Sequence, residues 1–212
     1  MIVYMELTLA QVAEQHGRSE RFVQLAVRAG DLSPLRQVGR TFIVDALAAT
    51  AWARSRARGR RWAPQVLNGA LDLLSDGRTS ALTASERSRL RARLRTMSAA
   101  EMAHAAGGLG PWSRYRTTEA PDLPRIGPSA VDLSSLGLVP ERGWLTFISV
   151  EHLDAFELAH DVTLDADGNL GVIERPTIDQ RSARVLLDAY LLGDVRLSAA
   201  AGSELERRAH AI

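Results

Sequence analysis

Three polar side chains recur along one side of a helical stretch near the start of the chain: Arg21, Gln24 and Arg28. Their spacing places them on a common face of an α-helix. A guanidinium can contact O6 and N7 of guanine together, and a carboxamide can contact N6 and N7 of adenine. The stripe therefore indicates contact with base edges in the major groove of DNA. The alternative is a plain helical hairpin whose polar face is only solvated.

The neighbouring residues predict the elements that hold this stripe. Thr8 and Ser19 are good N-caps for two successive helices, joined by a turn at Gly17. The first helix has an apolar face at Leu9, Val12 and Ala13. In the second helix, these residues at helical spacing are expected to face inward: Phe22, Leu25, Ala26 and Ala29.

A hairpin and a third helix are predicted next. Residues 35–38 and 41–44 are β-prone runs separated by Gly39 and Arg40, which is a two-residue hairpin signal. Arg36 and Arg40 lie on this hairpin and are candidate DNA contacts. Asp45 then caps a short helix that ends at about residue 55.

Residues 7–55 resemble the winged helix-turn-helix of the excisionase and MerR-like families. The resemblance implies that the second helix enters the major groove and that the wing contacts the backbone or the minor groove. It also implies a homodimer on double-stranded DNA with repeated half-sites. The chain departs from the family pattern at Leu25 and Ala26, near positions that often hold a Trp and a basic residue. The DNA contacts implied are Ser19, Arg21, Gln24 and Arg28 on the helix and Arg40 at the wing tip.

An arginine-rich segment follows the third helix. Contact with phosphates is the functional interpretation of this segment, and a solvated hinge is the alternative. Its arginines are Arg54, Arg56, Arg58, Arg60 and Arg61. Residues 64–107 predict three helices, two of which open with capping boxes at 83–86 and 98–101. The second of these carries two rows of arginines between positions 87 and 95. They could hold phosphates or an acidic partner, or they could lie around the edge of a buried stripe.

The formal charge is strongly segregated along the chain. Residues 1–118 carry 18 Arg against 9 Asp and Glu, whereas residues 119–212 carry 8 Arg against 16. A basic half suggests a polyanion partner. We therefore predict a winged helix-turn-helix DNA-binding domain over 1–61, a basic helical segment over 62–118 and an acidic α+β partner-binding domain over 119–212. The predicted fold class is mainly α with a small β component.

The acidic half combines strands and helices in the sequence pattern. A short strand over 112–117 precedes it. Within it we predict a strand at 144–150, a helix at 151–159, a hairpin of 162–164 with 170–174, a helix at 179–192 and a last helix at about 198–210.

The motifs of several function classes are missing from the sequence. There is no Cys, no phosphate-binding loop and no nucleophile elbow, and the five His have no metal-ligand spacing. An EF-hand loop starting at Asp165 would need a carboxylate where Pro176 stands. No apolar run is long enough to span a membrane. We therefore expect a cytoplasmic binding protein with no catalytic site, cofactor or metal.

The order of elements over most of the chain also resembles actinobacterial antitoxins paired with AbiE-like nucleotidyltransferase toxins. The Arg-rich helix at 85–94 and the Leu-Leu-Asp-Ala-Tyr-Leu-Leu-Gly-Asp-Val-Arg stretch at 186–196 carry this resemblance. It implies a transcriptional regulator that represses its own operon and neutralises a protein toxin. The alternatives are a stand-alone MerR-like or excisionase-like regulator or recombination factor, and an enzyme with an unrecognised site.

Overall fold

A computed structural model of the chain describes residues 6–32, 34, 36–57, 59–139, 145–165, 167–175 and 179–212. Of these, about 51% are helical and 15% are strand, which confirms a mainly α chain with a small β component. The helices are α1 (Leu9–Gln15), α2 (Glu20–Arg28), α3 (Ala46–Arg54), α4 (Pro64–Asp76), α5 (Ala84–Leu94), α6 (Ala99–Ala105), α7 (Leu153–Ala159), α8 (Ser182–Leu192) and α9 (Val195–Ala211). The strands are β1 (Glu6–Thr8), β2 (Arg36–Val38), β3 (Thr41–Asp45), β4 (Trp112–Arg116), β5 (Thr146–Val150), β6 (Thr163–Leu164) and β7 (Leu170–Glu174).

The chain forms two compact units that alternate along the sequence. The first unit consists of Met1–Ala53, Leu109–Leu123 and Gly143–Ile178, and the second of Arg54–Gly108, Pro124–Arg142 and Asp179–Ile212. The contiguous segments predicted from the sequence, 1–61, 62–118 and 119–212, do not coincide with these units. The difference arises because β4, from the predicted central segment, is hydrogen-bonded to β6 and β7 from the predicted acidic segment.

In the first unit, a three-stranded antiparallel sheet holds α1 to the hairpin. Its order is β1-β3-β2, with Leu7 opposite Val44 and Gln37 opposite Phe42. Thr8 starts α1 with a capping box, in which its hydroxyl and backbone N–H both pair with Gln11. The predicted inward face of α1 is confirmed, since Leu9, Val12 and Ala13 are buried; strand β1 was not predicted.

A second sheet of the first unit has the order β5-β7-β4-β6. β5 and β7 run parallel, and β4 is antiparallel to both of its neighbours. The predicted hairpin of 162–164 with 170–174 is therefore wrong, because β4 lies between those strands. The connecting loop crosses β4 closely: a Cβ on Gly168 would stand 2.1 Å from the Tyr115 carbonyl oxygen. Glycine is required there because any side chain would collide with the strand.

A buried ion pair fixes β4 within the first unit. The Nη2 of Arg114 lies 3.0 Å from Oδ2 of Asp45, and their side chains are 0% and 6% exposed. The other carboxylate oxygen of Asp45 accepts the N–H groups of Leu47 (2.7 Å) and Ala48 (3.3 Å), which confirms the predicted cap of α3. Burial raises the pKa of this carboxyl, and Arg114 opposes the rise.

The second unit is organised around α8, which is buried over most of its length. Even its charged pair, Arg184 and Asp188, lies inside, with Nη2 and Oδ1 3.0 Å apart. Both predicted capping boxes are confirmed, at Thr83 with Glu86 for α5 and at Ser98 with Glu101 for α6. The predicted three helices of 64–107 are likewise confirmed as α4, α5 and α6.

Candidate nucleic-acid interface

The start of α2 is fixed by Ser19, one of the predicted contact residues. Its hydroxyl accepts the backbone N–H of Phe22 at 3.3 Å, which confirms the predicted N-cap. A capped first turn fixes the direction of the helix, because it satisfies a backbone donor that the helix itself leaves unpaired. Ser19 is exposed beside this cap, so its hydroxyl remains at the surface.

The predicted polar stripe lies on the outer face of α2. Arg21 and Arg28 are exposed, and Gln24 is half-buried between them along the helix. In the described part of the chain, no side-chain hydrogen bond or ion pair engages Arg21 or Arg28. The two guanidinium groups are therefore available to an external ligand. Their role as DNA contacts stays a prediction.

The inward face of α2 differs from the sequence prediction. Val23, Ala26 and Val27 are buried, whereas Phe22, Leu25 and Ala29 are exposed. The prediction was therefore right for Ala26 and wrong for the other three. Two apolar faces, offset by about one residue, compete on this helix, and the one that carries both valines packs inward.

Because the inward face of α2 is offset by about one residue from the predicted one, an aliphatic side chain lies among the polar side chains of the outer face. Leu25 is 54% exposed, and at four residues after Arg21 and three before Arg28 it lies between them on the same face. Phe22 lies at the edge of this face, with its ring centroid 5.9 Å from that of Trp52 in α3. The outer face of α2 thus offers two guanidinium groups, one carboxamide and one aliphatic group together.

The two arginines of the hairpin differ in their contacts. Gly39 has φ +60°, which suits the first position of a two-residue hairpin turn, and Arg40 follows it at the exposed tip. No hydrogen bond or ion pair of the Arg40 side chain is present among the described residues. Arg36, in contrast, donates from Nε (3.1 Å) and Nη2 (2.5 Å) to the carboxylate of Glu6. This hydrogen bonding and the negative charge of Glu6 raise the pKa of Arg36, so its guanidinium stays charged and is paired with the carboxylate.

The net charge of residues 1–53 is zero, with five Arg against five Asp and Glu. The excess positive charge of the N-terminal half comes mainly from residues 54–108, which hold eleven Arg against four acidic residues. Long-range attraction of a polyanion scales with such net charge. The face of α2 is therefore suited to short-range contact, whereas the charge that attracts a polyanion belongs to the second unit.

Hydrogen bonds between side chains and backbone carbonyl groups hold the arginine-rich segment within the second unit. Nη1 of Arg54 donates to the carbonyl groups of Leu191 (2.9 Å) and Gly193 (2.6 Å) at the end of α8. The ring nitrogens of His104 lie 3.1 Å from the Ser55 carbonyl oxygen and 3.0 Å from that of Gly59. These contacts favour an ordered segment over the freely solvated hinge. Arg60 and Arg61 are exposed on it, and Arg58 lies outside the described residues.

A shallow pocket of about 430 Å³ lies at one edge of the four-stranded sheet. Its lining offers threonine hydroxyls and one ion-paired arginine, since Nε of Arg116 lies 2.5 Å from Oδ2 of Asp165. These groups form no nucleophile–base pair of the kind that hydrolases use. The pocket lining is Arg116, Thr117, Thr118, Asp161 and Thr163.

Comparison with protein-family models, with curated proteins and with solved structures finds no match to this chain. Within the described part of the chain, no helix has both the length and the hydrophobicity that crossing a bilayer requires. The functional interpretation therefore depends on the geometry and chemistry of the surfaces described above.

Proposed function

We propose that the protein is a sequence-specific DNA-binding transcriptional regulator whose N-terminal part acts as a winged helix-turn-helix. The order of elements supports this: α1, a connection over residues 16–19, α2, and then the β2–β3 hairpin. The observation that carries the proposal is the free outer face of α2, opposite the buried Val23, Ala26 and Val27. In this proposal α2 enters the major groove and Arg40 contacts the backbone from the wing.

The chemistry of the outer face matches what base edges offer. Arg21 and Arg28 can each contact a guanine, and Gln24 can contact an adenine. Leu25, between the two arginines, can pack against the C5-methyl group of thymine. A site of this composition distinguishes base pairs by shape and hydrogen bonding together.

Selection from a randomised duplex library with the full-length protein tests this proposal. We expect an enriched motif with repeated half-sites, because proteins of this class bind DNA as dimers. R21A and Q24A should each weaken binding to the selected motif by about 1–3 kcal/mol, roughly 5- to 150-fold. Their affinity for random duplex should change far less.

R196A is a matched control, because Arg196 is exposed on α9, far from α2 in sequence. It should leave binding to the selected motif within about twofold of wild type. Equal losses for R21A on the selected motif and on random duplex would contradict the assigned role of the α2 face. Failure to enrich any motif would contradict sequence-specific binding itself.

We further propose that this regulator is an antitoxin whose acidic part binds a nucleotidyltransferase-type toxin. Residues 109–123 and 143–178 hold nine acidic residues against three Arg, which favours a basic partner. Two aliphatic side chains are exposed on this part, Leu158 (91%) on α7 and Leu164 (61%) on the edge strand β6. In this proposal the two leucines supply apolar contacts to the toxin, and the surrounding acidic residues pair with its basic groups.

Co-expression with the product of the adjacent gene tests the antitoxin proposal. We expect a stable complex, relief of growth arrest, and loss of both in L158D/L164D. An adjacent toxin gene whose product neither binds nor is neutralised would refute the proposal, and an adjacent integrase gene would favour the recombination factor. Because the proposed operator and toxin are intracellular, this function implies a cytoplasmic protein.

A further inference from the structure

A cluster of arginines on the second unit is not explained by the proposed contacts of α2. Arg89 and Arg93 are exposed and lie one turn apart on α5, so they share a face. Arg93 also approaches the arginine-rich segment that follows α3, since its Nη2 lies 4.0 Å from the position that a Cβ on Gly59 would occupy. Arg60, the next residue, is exposed as well. Two elements far apart in sequence thus meet where Arg93 approaches Gly59, and we call the exposed arginines of this region the α5 surface (Arg60, Arg89 and Arg93).

Other arginines of α5 have structural partners. Arg87 donates from Nη1 to the Thr79 carbonyl (3.2 Å), and Arg91 from Nη2 to the Gly77 carbonyl (2.8 Å). These bonds support the loop that follows α4. Of the two arginine rows predicted from the sequence, one is therefore used to hold the fold. The row of Arg89 and Arg93 is left at the surface, where Arg89 bonds only to Ser85 of its own helix among the described residues.

The carboxylates nearest this surface are engaged in capping. Glu101 accepts the backbone N–H of Ser98 at 2.8 Å, and Glu86 accepts that of Thr83 at 3.0 Å. These hydrogen bonds lower the pKa of both carboxyl groups. One oxygen of each carboxylate accepts the backbone N–H and the hydroxyl of the N-cap residue, and the nearby Arg89 and Arg93 lower the pKa of Glu86 and Glu101 further. The arginines outnumber them, so the α5 surface keeps a net positive charge.

Hydrogen bonds on both sides of Arg60 hold the backbone of the arginine-rich segment in place. His104 contacts two carbonyl groups of the segment, and the N–H of Trp62 donates to the Ala105 carbonyl at 2.8 Å. Arg60 is therefore presented from a backbone that is fixed on both sides, which lowers the entropy lost when a ligand binds. Guanidinium groups are suited to phosphate oxygens, which they can contact with paired hydrogen bonds.

We propose that the α5 surface binds the phosphate backbone of duplex DNA without regard to sequence, as a site separate from α2. The choice of DNA as the polyanion rests on the proposed function, but the site itself does not need α2. It gives the chain affinity for any duplex, and α2 then selects among sequences. The net charge of residues 54–108, with eleven Arg against four acidic residues, supports this division.

Binding of the full-length protein to random-sequence duplex, measured against salt concentration, tests the proposal. Each lost phosphate contact should reduce the slope of log K against log salt by about 0.9. R60Q/R93Q should therefore lower the slope by about 1–2 and weaken binding roughly 10- to 60-fold at about 0.1 M salt. The control R78Q/R196Q removes the same charge from exposed positions of the second unit and should change binding less than about threefold.

Three outcomes would overturn the inference. The two double variants could lose the same affinity, R60Q/R93Q could keep the wild-type slope, or polyglutamate could compete as well as duplex of equal charge. The last result would indicate an acidic protein partner instead. A protein that enriches a DNA motif but shows any of these outcomes keeps the proposed function and loses this site. If no motif is enriched but R60Q/R93Q shows the expected smaller slope of log K against log salt, the α5 surface is supported and the proposed function is contradicted.

Discussion

Replacing Arg114 with methionine is expected to destabilise the first unit by about 3–5 kcal/mol. The reason is the burial of its partner: Asp45 is 6% exposed and faces Arg114 across 3.0 Å. Methionine fills much of the space but leaves the carboxylate without its counter-charge in a poorly hydrated site. Chemical denaturation of the full-length protein, followed by far-UV circular dichroism, measures the change.

R116M is the matched control on the same strand. Arg116 forms an ion pair with Asp165, but the two side chains are 57% and 29% exposed. An exposed pair of this kind contributes at most about 1 kcal/mol, because water and salt screen it. The comparison separates loss of a buried counter-charge from loss of any arginine in β4. A cost for R114M no larger than that for R116M would refute the reasoning.

The cost of R114M should also depend on pH. Burial raises the pKa of Asp45 in the native protein, and Arg114 limits this rise. In R114M, the pKa of Asp45 in the folded protein rises further above its value in the unfolded chain. Folding therefore takes up a proton at pH values between these two pKa values. The cost should therefore be smallest near pH 4, where protonation removes the buried charge, and should increase as pH rises through the folded pKa. D45N/R114M should recover part of the loss at pH 7, and a cost that is equal at both pH values would contradict this account.

Three further results are expected. Hydrogen bonds from Arg207 and Arg208 lower the pKa of Glu204 to about 2, so this carboxylate stabilises the fold above its unfolded pKa, and the stabilisation is lost as pH falls toward about 2. In acid unfolding, the stability of E204Q should lack this pH-dependent decrease, and a profile equal to wild type would contradict it. On a selected DNA motif, replacing a contacted thymine with uracil should weaken wild-type binding by about 1 kcal/mol but leave L25A unaffected, whereas equal losses would exclude contact with the methyl group. E6Q should free Arg36 and strengthen binding to random duplex by up to about fivefold in a salt titration; weaker binding would indicate that the pair itself is needed.

Local sequence signals were enough to predict most helices of this protein. The hydroxyl of Thr83 and the carboxyl of Glu86 specify a helix start by themselves, since both hydrogen bonds form within four residues. The same holds for Ser19 at the start of α2. For the candidate interface, the spacing of Arg21 and Arg28 was enough to predict that they share an exposed face.

Features that depend on distant parts of the chain were not predictable in this way. Helical spacing predicted Phe22 and Leu25 on the inward face of α2, but Val23 and Val27 share a competing face, and packing within the first unit buries the valines. The loop before β7 looked like a hairpin turn, because nothing local signals that β4 lies between the strands. The buried role of Arg114 was hidden for the same reason, since its partner Asp45 is remote in sequence.

The alternation of the two units along the chain has a consequence for protein synthesis. Asp45 leaves the ribosome 69 residues ahead of Arg114, so its carboxylate must stay hydrated until β4 emerges. β4 in turn pairs with β7, which is made nearly 60 residues later. Contacts of such large sequence separation form slowly. The first unit therefore matures only after β7 has been made, and a short N-terminal fragment would lack the partner of its buried carboxylate.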